Sequence, residues 1–142
     1  MKVTIGPYPK NDGERKVKVK VHKYDTWNAD NTLAHIIYPL LVAFRETNEG
    51  SPKVADEDVP ERLRSTSSTK KLEENDKDEF FHDRWNWVLD ECIFAFGQLK
   101  DDEHDSFLYT EHGYDRTNAD QYYKRIDSAL LLFGKYYRHL WT

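Results

Sequence analysis

Residues 16–44, KVKVKVHKYDTWNADNTLAHIIYPLLVAF, decide the fold, because the hydrophobic period changes within them. Val17, Val19 and Val21 alternate with Lys16, Lys18, Lys20 and His22, the period of two that marks a half-buried strand. From Leu33 onward, Ile36, Ile37, Leu40, Leu41 and Phe44 recur at helical spacing. Upstream, KVTI at residues 2–5 reads as a partner strand, and GPYPKNDGE between the two is turn chemistry. Residues 1–23 are therefore expected to form a β-hairpin. A two-stranded hairpin is marginal in water, so it must lie on helices, pair with another chain, or both. Lysines on its outer face discourage uncontrolled edge pairing.

Three helices are expected downstream. The first covers residues 30–47, with Asp30 or Asn31 as N-cap, a kink at Pro39, and a stop at Gly50-Ser51-Pro52. The second covers 79–99. Its core face is Phe81, Trp85, Val88, Leu89, Cys92 and Phe96, and Phe80, Trp87, Glu91 and Phe94 form a second stripe, so neighbours should cover it from two directions. The third covers 118–140, with Tyr122, Ile126, Ala129, Leu130, Phe133, Tyr137 and Leu140 at helical spacing. Gly134 inside it calls for close helix packing, since glycine there is otherwise costly. Residues 48–78 form a long polar loop, in which Val59 and Leu63 should pin DEDVPERLR while 65–77 stays mobile. The expected fold is a single α+β domain over 1–142, an N-terminal β-hairpin packed on a bundle of about three main helices.

Composition narrows the function classes. The chain has 142 residues, enough for a core without disulfides or metal. An aromatic share of 14% separates it from disordered chains and exceeds what three helices need for packing, which points to an interface or ligand surface. The net charge of −5 argues against a general nucleic-acid binder. Cys92 is the lone cysteine, and the N-terminus lacks an apolar core of signal-peptide length, so the expectation is a cytoplasmic protein with no membrane segment.

No phosphate-binding loop, nucleophile elbow, dinucleotide glycine pattern or zinc-spaced Cys/His set occurs. Glu79-x-x-His82 is half of a di-iron pattern whose second half is missing. His82, Asn86 and Asp90 share a helix face that could hold a hard cation, although such faces are more often solvated. Glu91 sits among aromatics, where a charge needs a partner; Arg84, His35 or Lys135 could supply one. An ion pair between helices is the commoner outcome there, a catalytic acid the rarer. His22, Tyr24, Asp25 and Trp27 cluster where a helix N-terminus favours anions. They form either a staple with Trp27 folded over the helix or a pocket in which Tyr24 and Trp27 stack on a ring.

Several segments taken together, HKYDTWNADNTLAHIIYPLL, EDVPERLRST, RWNWVLDECIFAF and LFGKYYRHLW, resemble a family of uncharacterised proteins encoded by tailed bacteriophages. The shared pattern falls on Asp25, Trp27, Asp30, Thr32, Leu33, Ala34, Asp58, Val59, Pro60, Arg84, Trp85, Trp87, Glu91 and 132–137. Ala29 and Cys92 stand where that family usually has methionine, and the chain is shorter between the second helix and the closing motif. The resemblance implies a phage origin, and with it an infected bacterial host cell, but carries no activity.

The function expected is that of a phage accessory protein, acting against host defence, that sequesters a small anionic or nucleotide-type ligand without turnover. Its candidate ligand-binding residues are Tyr24, Asp25, Trp27, Arg62, Arg64, Arg84, Trp87, Glu91 and Lys135, with no cofactor and no metal, in a homodimer or higher homo-oligomer. One alternative is a metal-dependent nucleotide hydrolase using some of Asp25, Asp30, His35, His82, Asp90 and Glu91. Another is a protein–protein inhibitor of a host enzyme presenting acidic patches at 73–79 and 101–105.

Overall fold

The computed structural model describes residues 1–11, 13–70, 77–101 and 105–141. Strands β1 (Lys2–Ile5) and β2 (Val17–Lys20) form an antiparallel hairpin in the register Lys2↔Lys20, Val3↔Val19, Thr4↔Lys18, Ile5↔Val17. A 3-10 turn at Lys23–Thr26 leads into helix α1 (Ala29–Thr47). Three short 3-10 turns follow, at Asp56–Asp58, Glu61–Leu63 and Ser65–Ser67. Helix α2 (Phe81–Asp101) comes next, then the single turn α3 (Asp105–Leu108). A small hairpin of β3 (Tyr109–Thr110) and β4 (Gly113–Tyr114) precedes helix α4 (Arg116–Tyr136). Gly113 turns that hairpin at φ 101°, a conformation open to glycine. The class is α+β, with an N-terminal hairpin and three long helices.

Helix α2 is the hub. It packs against α1 on one side and α4 on the other, which explains its two apolar stripes. Trp85, Val88, Leu89, Cys92 and Phe96 are buried against Ala34 and Leu41 of α1 and Leu132 and Tyr136 of α4. A second cluster, Ala95 with Tyr122, Ile126 and Ala129, seals the other end of the α2–α4 contact. Gly97 allows the Tyr38 ring of α1 to sit close, since a Cβ there would meet it at 3.1 Å. Gly134 has open space around it instead, so the close approach expected there occurs at Gly97.

Two other expectations need correction. The N-cap of α1 is Asn28, and Asp30 lies in the first turn. Asn31 caps a different helix: its amide donates to the carbonyls of Leu99 (3.0 Å) and Lys100 (2.9 Å), which helix α2 leaves unpaired at its C-terminus. The apolar row of α1 is also only partly interior. Leu33 is 52% exposed and Leu40 65%, because α2 covers one side of α1 and α4 does not close over the other.

The loop after α1 is clamped down. Val54, Val59 and Leu63 are buried in the main core. The Asp56 carboxylate accepts from the Ser65 amide (2.9 Å) and hydroxyl, and these bonds hold its carboxyl below the ordinary range. The Tyr136 hydroxyl donates to Asp58 (2.6 Å) and accepts from the Ala55 amide (3.0 Å). Residues 65–67 thus belong to an ordered turn, and 71–76 of the segment expected to be mobile lie outside the described residues.

The hairpin is open by comparison. Its apolar face carries Ile5, Val17 and Val19, each between 50% and 59% exposed, and its other face carries Lys2, Lys18 and Lys20. The N-terminal ammonium ties it to the head of α1 through Asp25.

Candidate functional site

The nine sequence candidates fall into separate places. At the head of α1, Asp25 is satisfied internally: its carboxylate accepts from the N-terminal ammonium (2.8 Å) and from the His22 amide (2.6 Å). Those bonds hold its carboxyl below the ordinary value. His22 Nδ1 accepts in turn from the Tyr24 amide, completing a capping box. Trp27 is not folded over the helix. It is 80% exposed, and its ring meets the half-exposed Tyr24 ring in a T-shaped contact with centroids 4.8 Å apart. The staple is therefore absent, and an aromatic pair stands open to solvent.

Arg84 is interior. Its guanidinium donates to both oxygens of Asp78 (2.9 Å each) and to the Leu63 carbonyl (2.8 Å), so it locks the clamped loop to α2. Arg62 is exposed on that loop, whereas Arg64 is half-buried, with its Nε–H enclosed and unpartnered among the described residues. Lys135 reaches Asp58 at 2.5 Å, which raises its pKa. Trp87 packs partly buried on the main core. Glu91 is paired, but with Arg125 of α4 rather than with Arg84, His35 or Lys135. The pair is bidentate at 2.8 and 2.9 Å, and the Arg125 guanidinium lies 3.6 Å from the centre of the Phe94 ring. Arginine can satisfy a fork of two oxygens and a ring face together, which explains a carboxylate inside an aromatic stripe.

The residues weighed for a cation are also dispersed. Asp90 pairs with Arg45 (2.9 Å), and His82 Nδ1 shares a hydrogen with the Ser51 hydroxyl (2.9 Å). Among the described residues no three His, Cys, Asp or Glu side chains converge on a metal position. Burial pushes the Cys92 thiol up to about 12, so it is inert as a nucleophile near neutral pH. No helix among the described residues is long and apolar enough to cross a membrane.

Among the described residues, two clefts are large enough to receive a small molecule. One, of about 260 Å³, opens between α2, α3 and α4, lined by Phe94, Phe107, Tyr122, Asn118, Gln121 and Arg125. The Arg125 charge there is already answered by Glu91. The other, of about 270 Å³, lies between the end of α1 and the C-terminal segment, lined by Gly50, Ser51, Pro52, Lys77, His139 and Trp141. Here an ammonium, an imidazole, a hydroxyl and a 72% exposed indole surround one space. The Lys77 ammonium rests over the Phe81 ring at 5.1 Å and makes no ion pair among the described residues. These side chains come from positions 51, 77, 139 and 141, and no spacing rule groups them. Only Gly50-Ser51-Pro52 carried a signal, as a helix stop.

No family model, no curated protein and no solved structure matches this chain.

Proposed function

We propose that this chain binds a small anionic ligand bearing a flat ring, of nucleotide type, in the cleft beside Trp141, and holds it without turnover. One observation carries the reading. Lys77, His139 and Ser51 line the same cleft as an exposed indole, so charge, hydrogen bonding and a stacking face are available to one molecule. The cleft is somewhat smaller than the roughly 300–1,000 Å³ of drug-sized sites, which suits a mononucleotide-sized occupant. The resemblance of the sequence to tailed-phage proteins supports the further reading that such binding withdraws a signalling nucleotide from host defence.

Thermal denaturation against mononucleotides and cyclic dinucleotides tests this. A ligand present at about 100 times its Kd should stabilise the fold by about 2.7 kcal/mol. Lys77→Ala and Trp141→Ala should abolish the shift, Trp27→Ala should leave it, and mass spectrometry should recover the ligand unchanged. A shift with none of these ligands, or one that survives both cleft variants, refutes the reading.

A further inference from the structure

The groove between α1 and α4 carries a separate inference, independent of the cleft. Because the two helices meet chiefly through α2, a channel of about 120 Å³ remains between them, lined by Ile37, Leu40, Phe44, Phe133, Tyr137 and Leu140. The rims repeat at coiled-coil spacing. Leu33, Ile37, Leu40 and Phe44 step by four, three and four along α1, and Leu130, Phe133, Tyr137 and Leu140 step by three, four and three along α4 and its terminal turn. Both rows are partly open to solvent, with Leu40 at 65% and Tyr137 at 62%.

Charge is absent from both rims over most of their length. The chain is 33% charged, yet residues 31–44 contain no Asp, Glu, Lys or Arg, and neither do residues 128–134. Loss of charge from an exposed face is the compositional mark of an interface centre. Outside residues 1–23 the chain has fourteen basic against twenty-four acidic residues, so two copies repel over most of their surface. Across this face they do not. We infer that it is a self-complementary interface, on which a second copy of the chain docks the same two rows about a twofold axis. The exposed parts of the two rows amount to roughly 550 Å² per copy, against ~800 Å² for a standard interface and about 600 Å² for a weaker one.

Sedimentation velocity of the full chain up to roughly 100 µM provides the test. The unaltered protein should sediment as a dimer. Leu40→Glu should weaken it at least ~100-fold, because the symmetry buries the new charge twice. Tyr137→Lys on the other row should do the same and serves if the first variant fails to fold by circular dichroism. Val19→Glu on the hairpin should remain dimeric. A monomeric unaltered protein, a dimer that survives both groove variants, or dissociation by Val19→Glu each overturns the inference.

Discussion

The hairpin of residues 2–20 and the loop of residues 54–68 are both too short to fold alone, and they end in opposite conditions. The hairpin has a strictly amphipathic register, yet Val17 and Val19 stay more than half exposed. The loop has few apolar residues, but Val54, Val59 and Leu63 are each at most 6% exposed. The hairpin is tethered through a partly buried ion pair at its root, whereas the loop is crossed by bonds from Arg84, Lys135 and Tyr136. Pattern tells which face of a segment would be buried. Whether anything arrives to bury it depends on where the helices leave room.

Arg84→Ala should break the comparison most severely. It strands the Asp78 carboxylate and the Leu63 carbonyl in the interior, a loss of about 3–5 kcal/mol. Urea denaturation measures it, and a loss below 1 kcal/mol would mean that the loop is not anchored there. Leu63→Ala should cost about 2–4 kcal/mol by the same measurement, through the cavity left under the loop.

Acid should then loosen both regions. The carboxyls of Asp25 and Asp56 are both held below their ordinary value of 3.8, the first by the N-terminal ammonium and the His22 amide, the second by Ser65. A depressed carboxyl contributes stability above its unfolded pKa and loses it as pH falls through the lower folded value. Protection of the β2 amides from hydrogen exchange, relative to free amides at the same pH, should therefore fall below a pH of about 4, and Asp25→Asn should bring that loss to neutral pH. The amides of α2 should stay protected under the second change. The smallest effect belongs to Val19→Thr, which should alter global stability by less than about 0.5 kcal/mol, since the side chain is 55% exposed. A loss above 1.5 kcal/mol in the monomer would show that the hairpin is covered after all.

Much of the architecture was legible in periodicity. The strands at Val17–Lys20 and Lys2–Ile5 and the α2 core face from Trp85 to Phe96 follow from spacing, and the pinning by Val59 and Leu63 from their apolar character in a polar loop. Phe81, on the same expected face of α2, lies half-buried outside the core. Leu33 and Leu40 share the apolar spacing of α1 yet stay exposed, because helical spacing cannot distinguish a face that meets a neighbour from one that meets solvent. Local spacing offers Asp30 or Asn31 as a cap of α1 and cannot show the role Asn31 takes, because its partners, the carbonyls of Leu99 and Lys100, lie far along the chain. The need of Glu91 for a partner was visible, but the identity of that partner was not, since Arg125 approaches from another helix.

The sequence by itself determined the first hairpin and the three long helices, which side of each is apolar, and that Glu91 needs an opposite charge. Backbone period and the cost of burying a lone charge are local constraints, written into neighbouring residues. Only the tertiary structure decided that Arg84 answers Asp78, that α4 stops short of covering α1, and that Ser51, Lys77, His139 and Trp141 share one cleft. Those outcomes depend on the angles and offsets at which α1 and α4 cross α2, which arise from summed packing across the core.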